Sequence, residues 1–187
     1  MATAAVQAAD PPLQVVPQGA AVAVAPAAGL GGTVAPQLRR EDGQWELGAD
    51  LDLQLSPSLE SALQRGLPLY FTLRLLVTRP RWYWLDAEVI DLQRDYRVSY
   101  HALTRQYRVA VGGIALSYPN LAEALRAVSS VRGWPVAEAA RLRPSERYRA
   151  RLELRLDGSR LPKPLQITAI GPGDWSSEVS VEWEFAP

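Results

Sequence analysis

Tyr148-Arg149-Ala150-Arg151-Leu152-Glu153-Leu154-Arg155-Leu156 decides the fold class. A period of two puts Tyr148, Ala150, Leu152, Leu154 and Leu156 on one face and the charged residues between them on the other. A helix would scatter both sets around its axis. One apolar and one charged face is how a strand of an antiparallel sheet reads, because parallel strands are covered on both sides and stay apolar throughout.

The same alternation recurs outward from this stretch. Trp45, Leu47, Ala49, Leu51, Leu53 and Leu55 interleave with polar residues; so do Leu67, Leu69, Phe71, Leu73, Leu75 and Val77, and so do Val179, Val181, Trp183 and Phe185. In the middle, Tyr83, Leu85, Ala87 and Val89 carry the apolar face first and Tyr96, Val98 and Tyr100 carry it later. A phase flip of that kind predicts a bulge or bend around Ile90 to Arg94. His101 to Arg105 then reads as the turn of a hairpin whose second strand, Tyr107 to Val111, ends at Gly112-Gly113.

Two helices fit between the strands. Ser56-Pro57 opens one and Gly66 closes it, a serine cap with proline at the first helical position and glycine just past the end. Asn120 opens the other with Glu123 three residues on, close to a capping box, and Leu121, Ala124, Leu125 and Val128 share one side. A further helical turn is expected near Val136 to Leu142. The fold class is therefore mainly β: an antiparallel two-sheet β-sandwich-like domain with two short inserted α-helices.

Before Trp45 the character changes. Residues 1–38 are Ala, Pro, Val, Gly and Gln with almost no charge, and spaced prolines at positions 11, 12, 17, 26 and 36 prevent a helix. This divides the chain into an Ala/Pro-rich flexible leader, 1–40, and a single β-rich domain, 41–187. Val6-Gln7-Ala8 has the small-x-small pattern of a signal-peptidase site, so the leader reads as the remnant of a signal peptide and the expected compartment is the periplasm.

Composition removes several function classes. Twenty basic and twenty acidic side chains cancel, so the broad positive field of a non-specific nucleic-acid binder is missing. Cysteine is absent, which excludes disulfides, thiol catalysis and Cys-ligated metals. No apolar run of membrane-spanning length occurs.

Few residues suggest catalysis. His101 is the single histidine, and Asp95 and Ser99 lie near it in sequence, but no G-x-S-x-G elbow accompanies them. A turn histidine satisfied by backbone contacts is the expectation. Asp50 and Asp52 form the nearest carboxylate pair and read as a solvated edge; Glu178, Glu182 and Glu184 share the polar face of a strand. No catalytic residue, metal ligand or cofactor is assigned, and the chain is expected not to be an enzyme.

Charge is unevenly placed. Residues 141–163 hold eight basic and three acidic side chains, whereas 174–184 hold four acidic and none basic. Pairing the strand of Arg149, Arg151 and Arg155 with that of Glu178, Glu182 and Glu184 would match the charges across a ladder. Arg79-Pro80-Arg81-Trp82-Tyr83-Trp84-Leu85 is the other notable segment. Read as a strand, it sets Trp82 and Trp84 opposite Tyr83 and Leu85. Burial of the tryptophans beneath the helix at 57–65 or that at 120–131 is the expectation; exposure beside arginine would instead be the composition of an interaction hot spot.

Four stretches carry a family resemblance: Leu55 to Phe71, Arg79-Pro-Arg-Trp-Tyr-Trp84, Tyr96 to Val109 with its specific string Tyr100 to Arg108, and Leu161-Pro-Lys-Pro-Leu-Gln166. In these the chain resembles the proteobacterial family catalogued as domain of unknown function 4390, often labelled proline-rich signal peptide protein. The likeness spans about residues 45–185, although Trp175 to Trp183 is more Ser- and Val-rich than the family pattern. It implies export through a signal peptide and genes neighbouring membrane sensor kinases, hence a link to envelope signalling; it implies no activity and no functional residues.

The expectation is a non-catalytic periplasmic interaction domain whose partner is an envelope protein such as a membrane sensor, with no nucleic acid. Its candidate binding residues are Arg81, Trp82, Trp84, Arg97, His101 and Arg105. A β-sandwich holding a small apolar ligand or lipid is the alternative, and an undetected hydrolase or glycan-acting enzyme the third.

Overall fold

The computed structural model describes residues 35–83, 85–161 and 178–187. The leader up to residue 34, Trp84 and the stretch 162–177 lie outside them, and with them the signal-peptide reading, the Leu161 to Gln166 string past its first residue and the first three residues of Trp175 to Trp183.

Among the described residues, nine strands and two helices follow in the order β1 (Gln37–Glu41), β2 (Gln44–Asp50), α1 (Pro57–Gln64), β3 (Leu69–Arg79), β4 (Ala87–His101), β5 (Gln106–Val111), β6 (Ile114–Tyr118), α2 (Leu121–Ser129), β7 (Ser130–Glu138), β8 (Tyr148–Leu156) and β9 (Glu178–Phe185). They form two antiparallel sheets, β1-β2-β7 and β6-β5-β4-β3-β8-β9. The two-sheet β-sandwich-like architecture with two helices is therefore observed.

Period-two patterning positions the core. Leu69, Phe71, Leu73, Leu75 and Val77 of β3 have no exposed surface, nor do Ala150, Leu152 and Leu154 of β8, which pair with them. Leu47 of the small sheet, Leu59 and Leu63 of α1, and Ala124 and Val128 of α2 join the same cluster. Burying each such side chain contributes about 1.5–3 kcal/mol. Both helices begin as expected. Ser56 Oγ accepts from the Leu59 amide at 3.3 Å, and Asn120 Oδ1 accepts from the Glu123 amide at 2.9 Å while its own amide donates to Glu123 Oε1 at 2.7 Å. Gly66, at φ 92°, occupies the left-handed position that ends α1.

Several sequence expectations are corrected. The leader boundary moves back, because β1 takes residues 37–40 into the small sheet; one apolar residue, Leu38, among polar ones gives no alternation to see. The stretch 136–142 is not mainly helical: β7 runs to Glu138 and a single 3₁₀ turn covers Ala139–Arg141. β7 hides its period because Gly133, at φ 57°, lets Val131 and Trp134 both face inward around a bulge, and a second register shift lies next to Pro135. The phase flip in β4 sits at Val89, the extra residue between the pairs Val77–Ile90 and Thr78–Glu88. From there Ile90, Leu92, Tyr96 and Val98 turn inward. Arg94 shares that inward phase and lays its guanidinium 4.5 Å from the Trp134 ring of the small sheet, a cation–π clasp between the layers.

Candidate functional site

The connection between β3 and β4 is where the structure departs most from expectation. β3 ends at Arg79 and β4 begins only at Ala87, so Arg81, Trp82, Tyr83, Leu85 and Asp86 lie in a loop beyond the sheet. Trp82 is 93% exposed, Tyr83 65% and Leu85 82%. The expected burial of Trp82 beneath a helix is thus incorrect, and so is the placing of Tyr83 and Leu85 on a core face. Alternation continues through the segment, but Pro80 cannot donate to a ladder, and past it no strand or helix among the described residues covers Trp82, Tyr83 or Leu85.

The loop is held at its base. Arg79 donates through one nitrogen to both oxygens of Glu146, each at 2.7 Å, and Arg149 lies 3.7 Å from Asp86. Those hydrogen bonds, with the charge of Arg79 and a further one from the Tyr148 hydroxyl, hold the Glu146 carboxyl below the ordinary glutamate range despite its partial desolvation, and raise Arg79 in turn. At the tip, Trp82 and Tyr83 meet edge to face with centroids 5.0 Å apart, so the aromatic pair is preformed. Arg81 precedes the pair and is exposed, and at the base the exposed Arg143 lies 3.6 Å from Glu146. An apolar tip with arginine beside it results, on a chain whose net charge is zero.

The other candidates do not join this site. Arg97 lies exposed on the outer face of β4 with its guanidinium 6.0 Å from the Tyr70 ring, which Arg160 approaches to 5.0 Å. His101 ends β4 and Arg105, at φ 54°, closes the turn into β5. At about 3.3 Å per residue, the length of β4 sets that turn roughly 45 Å from the aromatic loop. The six candidates therefore do not form one surface, and Trp84 lies outside the described residues.

His101 is exposed and meets the Thr104 hydroxyl through Nδ1 at 3.2 Å, a side-chain partner in place of the expected backbone one. Asp95 accepts from Thr72 at 3.0 Å and from Gln93 at 2.9 Å, so it is engaged away from the imidazole. Asp50 is bonded to the Ser130 hydroxyl and Asp52 accepts from Gln54 at 3.1 Å, beside a cleft of 890 Å³ between α1 and α2. The C-terminal glutamates are matched to arginine: β8 and β9 pair Arg149 with Glu184, Arg151 with Glu182 and Arg155 with Glu178, with ion pairs of 3.2 and 3.0 Å in the first two. The charge ladder expected from sequence is observed.

Tyr83 and Leu85, and the base formed by Arg79, Glu146 and Arg149, belong to the site but escape sequence reasoning. The proline at position 80 was the available signal that the strand stops there.

The family model for the domain of unknown function DUF4390 matches residues 34–184. The chain belongs to this family. The DUF4390 match begins three residues before β1 and ends within β9, so it takes in both sheets and the aromatic loop. No curated protein and no solved structure matches the chain. No helix of the described residues is long and apolar enough to cross a membrane, and no group of three or more His, Asp or Glu among them could hold a metal ion.

Proposed function

We propose that this DUF4390 domain is a non-catalytic docking module of the bacterial envelope, which engages a protein partner through the β3–β4 loop. One observation carries the reading: Trp82, Tyr83 and Leu85 project into solvent from a loop whose base is clamped by Arg79–Glu146 and Arg149–Asp86. Exposed tryptophan and tyrosine with neighbouring arginine are the residues that dominate binding energy at interfaces, and a preformed loop loses little entropy on docking. The complementary partner surface is an apolar pocket edged by carboxylates.

Periplasmic residence is part of the proposal. The Val6-Gln7-Ala8 pattern and the exported character of the family support it, and a membrane sensor is the kind of partner that fits. Leu47, Leu73, Leu75 and Leu152 pack in one cluster between the sheets with no exposed surface, which favours docking over an apolar ligand held among them.

The test is a photo-reactive amino acid at position 82 in the native bacterium, with mass spectrometry of the adducts. One recurrent envelope protein is the expected result. A folded, exported protein that yields no adduct would overturn the assignment of this loop.

A further inference from the structure

Among the described residues the two sheets present four edges, and three of them are protected against further pairing. β9 carries Glu178, Glu182 and Glu184; β1 carries Arg39, Arg40 and Glu41; β7 is interrupted by Pro135, Gly133 and two register shifts. Such charges, prolines and bulges are what keep a sheet edge from recruiting another strand. β6, Ile114-Ala115-Leu116-Ser117-Tyr118, has none of them. It pairs with β5 in unbroken register, it has no charged residue, and Ile114 and Leu116 are 66% and 56% exposed.

The backbone fixes which groups this edge offers. Gly112 and Gly113, at φ 55° and 87°, form a two-residue turn, and the pair closing it, Val111 and Ile114, is a hydrogen-bonded one. Alternation then turns the N–H and C=O of Ile114, Leu116 and Tyr118 toward β5 and those of Ala115 and Ser117 outward. A two-fold axis through Leu116 would place Ala115 opposite Ser117 of a second copy as a hydrogen-bonded pair. Leu116 would oppose its own counterpart in a close, non-hydrogen-bonded pair. Because this register keeps parity, Ile114, Leu116 and Tyr118 of both copies fall on one face and cover each other. No charge meets its like, whereas a two-fold about the middle of β9 would bring glutamates together.

We propose that β6 is the seam of a symmetric dimer, in which a second copy of this chain pairs antiparallel about Leu116 and joins the two six-stranded sheets into one.

The chain has no cysteine, so Leu116→Cys creates a single thiol. Opposed Cα atoms of a non-hydrogen-bonded pair lie about 4.5 Å apart, within disulfide reach. Under mild oxidation of the full chain, Leu116→Cys is expected to become a covalent dimer, while Leu103→Cys, fully exposed on the β4–β5 turn, is not. By sedimentation the wild type is expected at twice 20.5 kDa, and Leu116→Arg at 20.5 kDa with its far-ultraviolet circular dichroism unchanged. A wild type that stays monomeric across a concentration series overturns the proposal; so does a folded Leu116→Arg that remains dimeric, or equal crosslinking of the two cysteine variants. Should Leu116→Arg not fold, the cysteine pair decides alone.

Discussion

The buried ring of Tyr148 stacks on Phe185 at 5.7 Å, while its hydroxyl accepts from the Arg143 amide at 2.9 Å and donates to Glu146 at 3.0 Å. Glu146 in turn grips Arg79, so one phenol oxygen links the end of β3, the 143–147 turn and the last strand. Tyr148→Phe keeps the packing and strands the two partners; a loss of about 1–2 kcal/mol is expected in the unfolding free energy measured in urea. Acid acts on the same cluster. Arg79 lowers Glu146, and Arg74, bidentate to Asp91 at 2.8 and 2.7 Å, lowers Asp91. A carboxyl whose folded pKa is depressed stabilises fully above its unfolded value, about 4, and loses that contribution as pH falls through the folded value. The difference in melting temperature between wild type and Glu146→Gln is therefore expected to stay constant above about pH 5 and to close below about pH 4. A difference that widens on acidification would contradict the assigned direction.

Pairing of β8 with β9 depends on a charge ladder that a double-mutant cycle can read. Glu182→Arg sets like charges opposite Arg151, and adding Arg151→Glu restores the match in reverse. Both side chains are about half exposed, so the single reversal is expected to cost under about 1 kcal/mol and the double reversal to recover most of it. That ladder was legible in the sequence because an antiparallel pair with one wet face obeys two constraints at once, alternation and charge matching. The same logic exposes β2, β3, β4, β5, β8 and β9, and capping chemistry exposes both helices. It fails for β1 and β6, which have too little contrast between faces, and for β7, where a bulge at Gly133 shifts the inward residues by one. The aromatic loop fails for another reason: alternation says which residues share a face and not whether anything covers that face. Arg81 and Trp82 were therefore visible as candidates, whereas the exposure of Tyr83 and Leu85 was decided by where the neighbouring strands end.

Across the whole molecule, the aromatic loop leaves one end of the large sheet at its central strands, whereas the β6 edge lies toward the other end. Leu116 lies level with Val109 and Val98, and Val98 is eleven residues along β4 from Ala87, roughly 35 Å at strand rise. The side chains that clamp the loop, Arg79, Glu146 and Arg149, are not among the residues that pair with β6. Perturbations at sites so far apart add, within about 0.3–0.5 kcal/mol, when no partner is common to both. A dimer formed through β6 would hold two loops well apart, each free to dock. Trp82→Ala combined with Leu85→Ser is accordingly expected to leave the melting temperature and the sedimented mass unchanged while abolishing capture of an envelope partner. Leu116→Arg is expected to halve the mass yet leave the crosslink from position 82 in place, with weaker retention where the partner is itself clustered, since two linked contacts hold more tightly than one. If Trp82→Ala with Leu85→Ser also dissociated the dimer, the two surfaces would be coupled through the sheet, and the assignment of separate roles to loop and edge would fall.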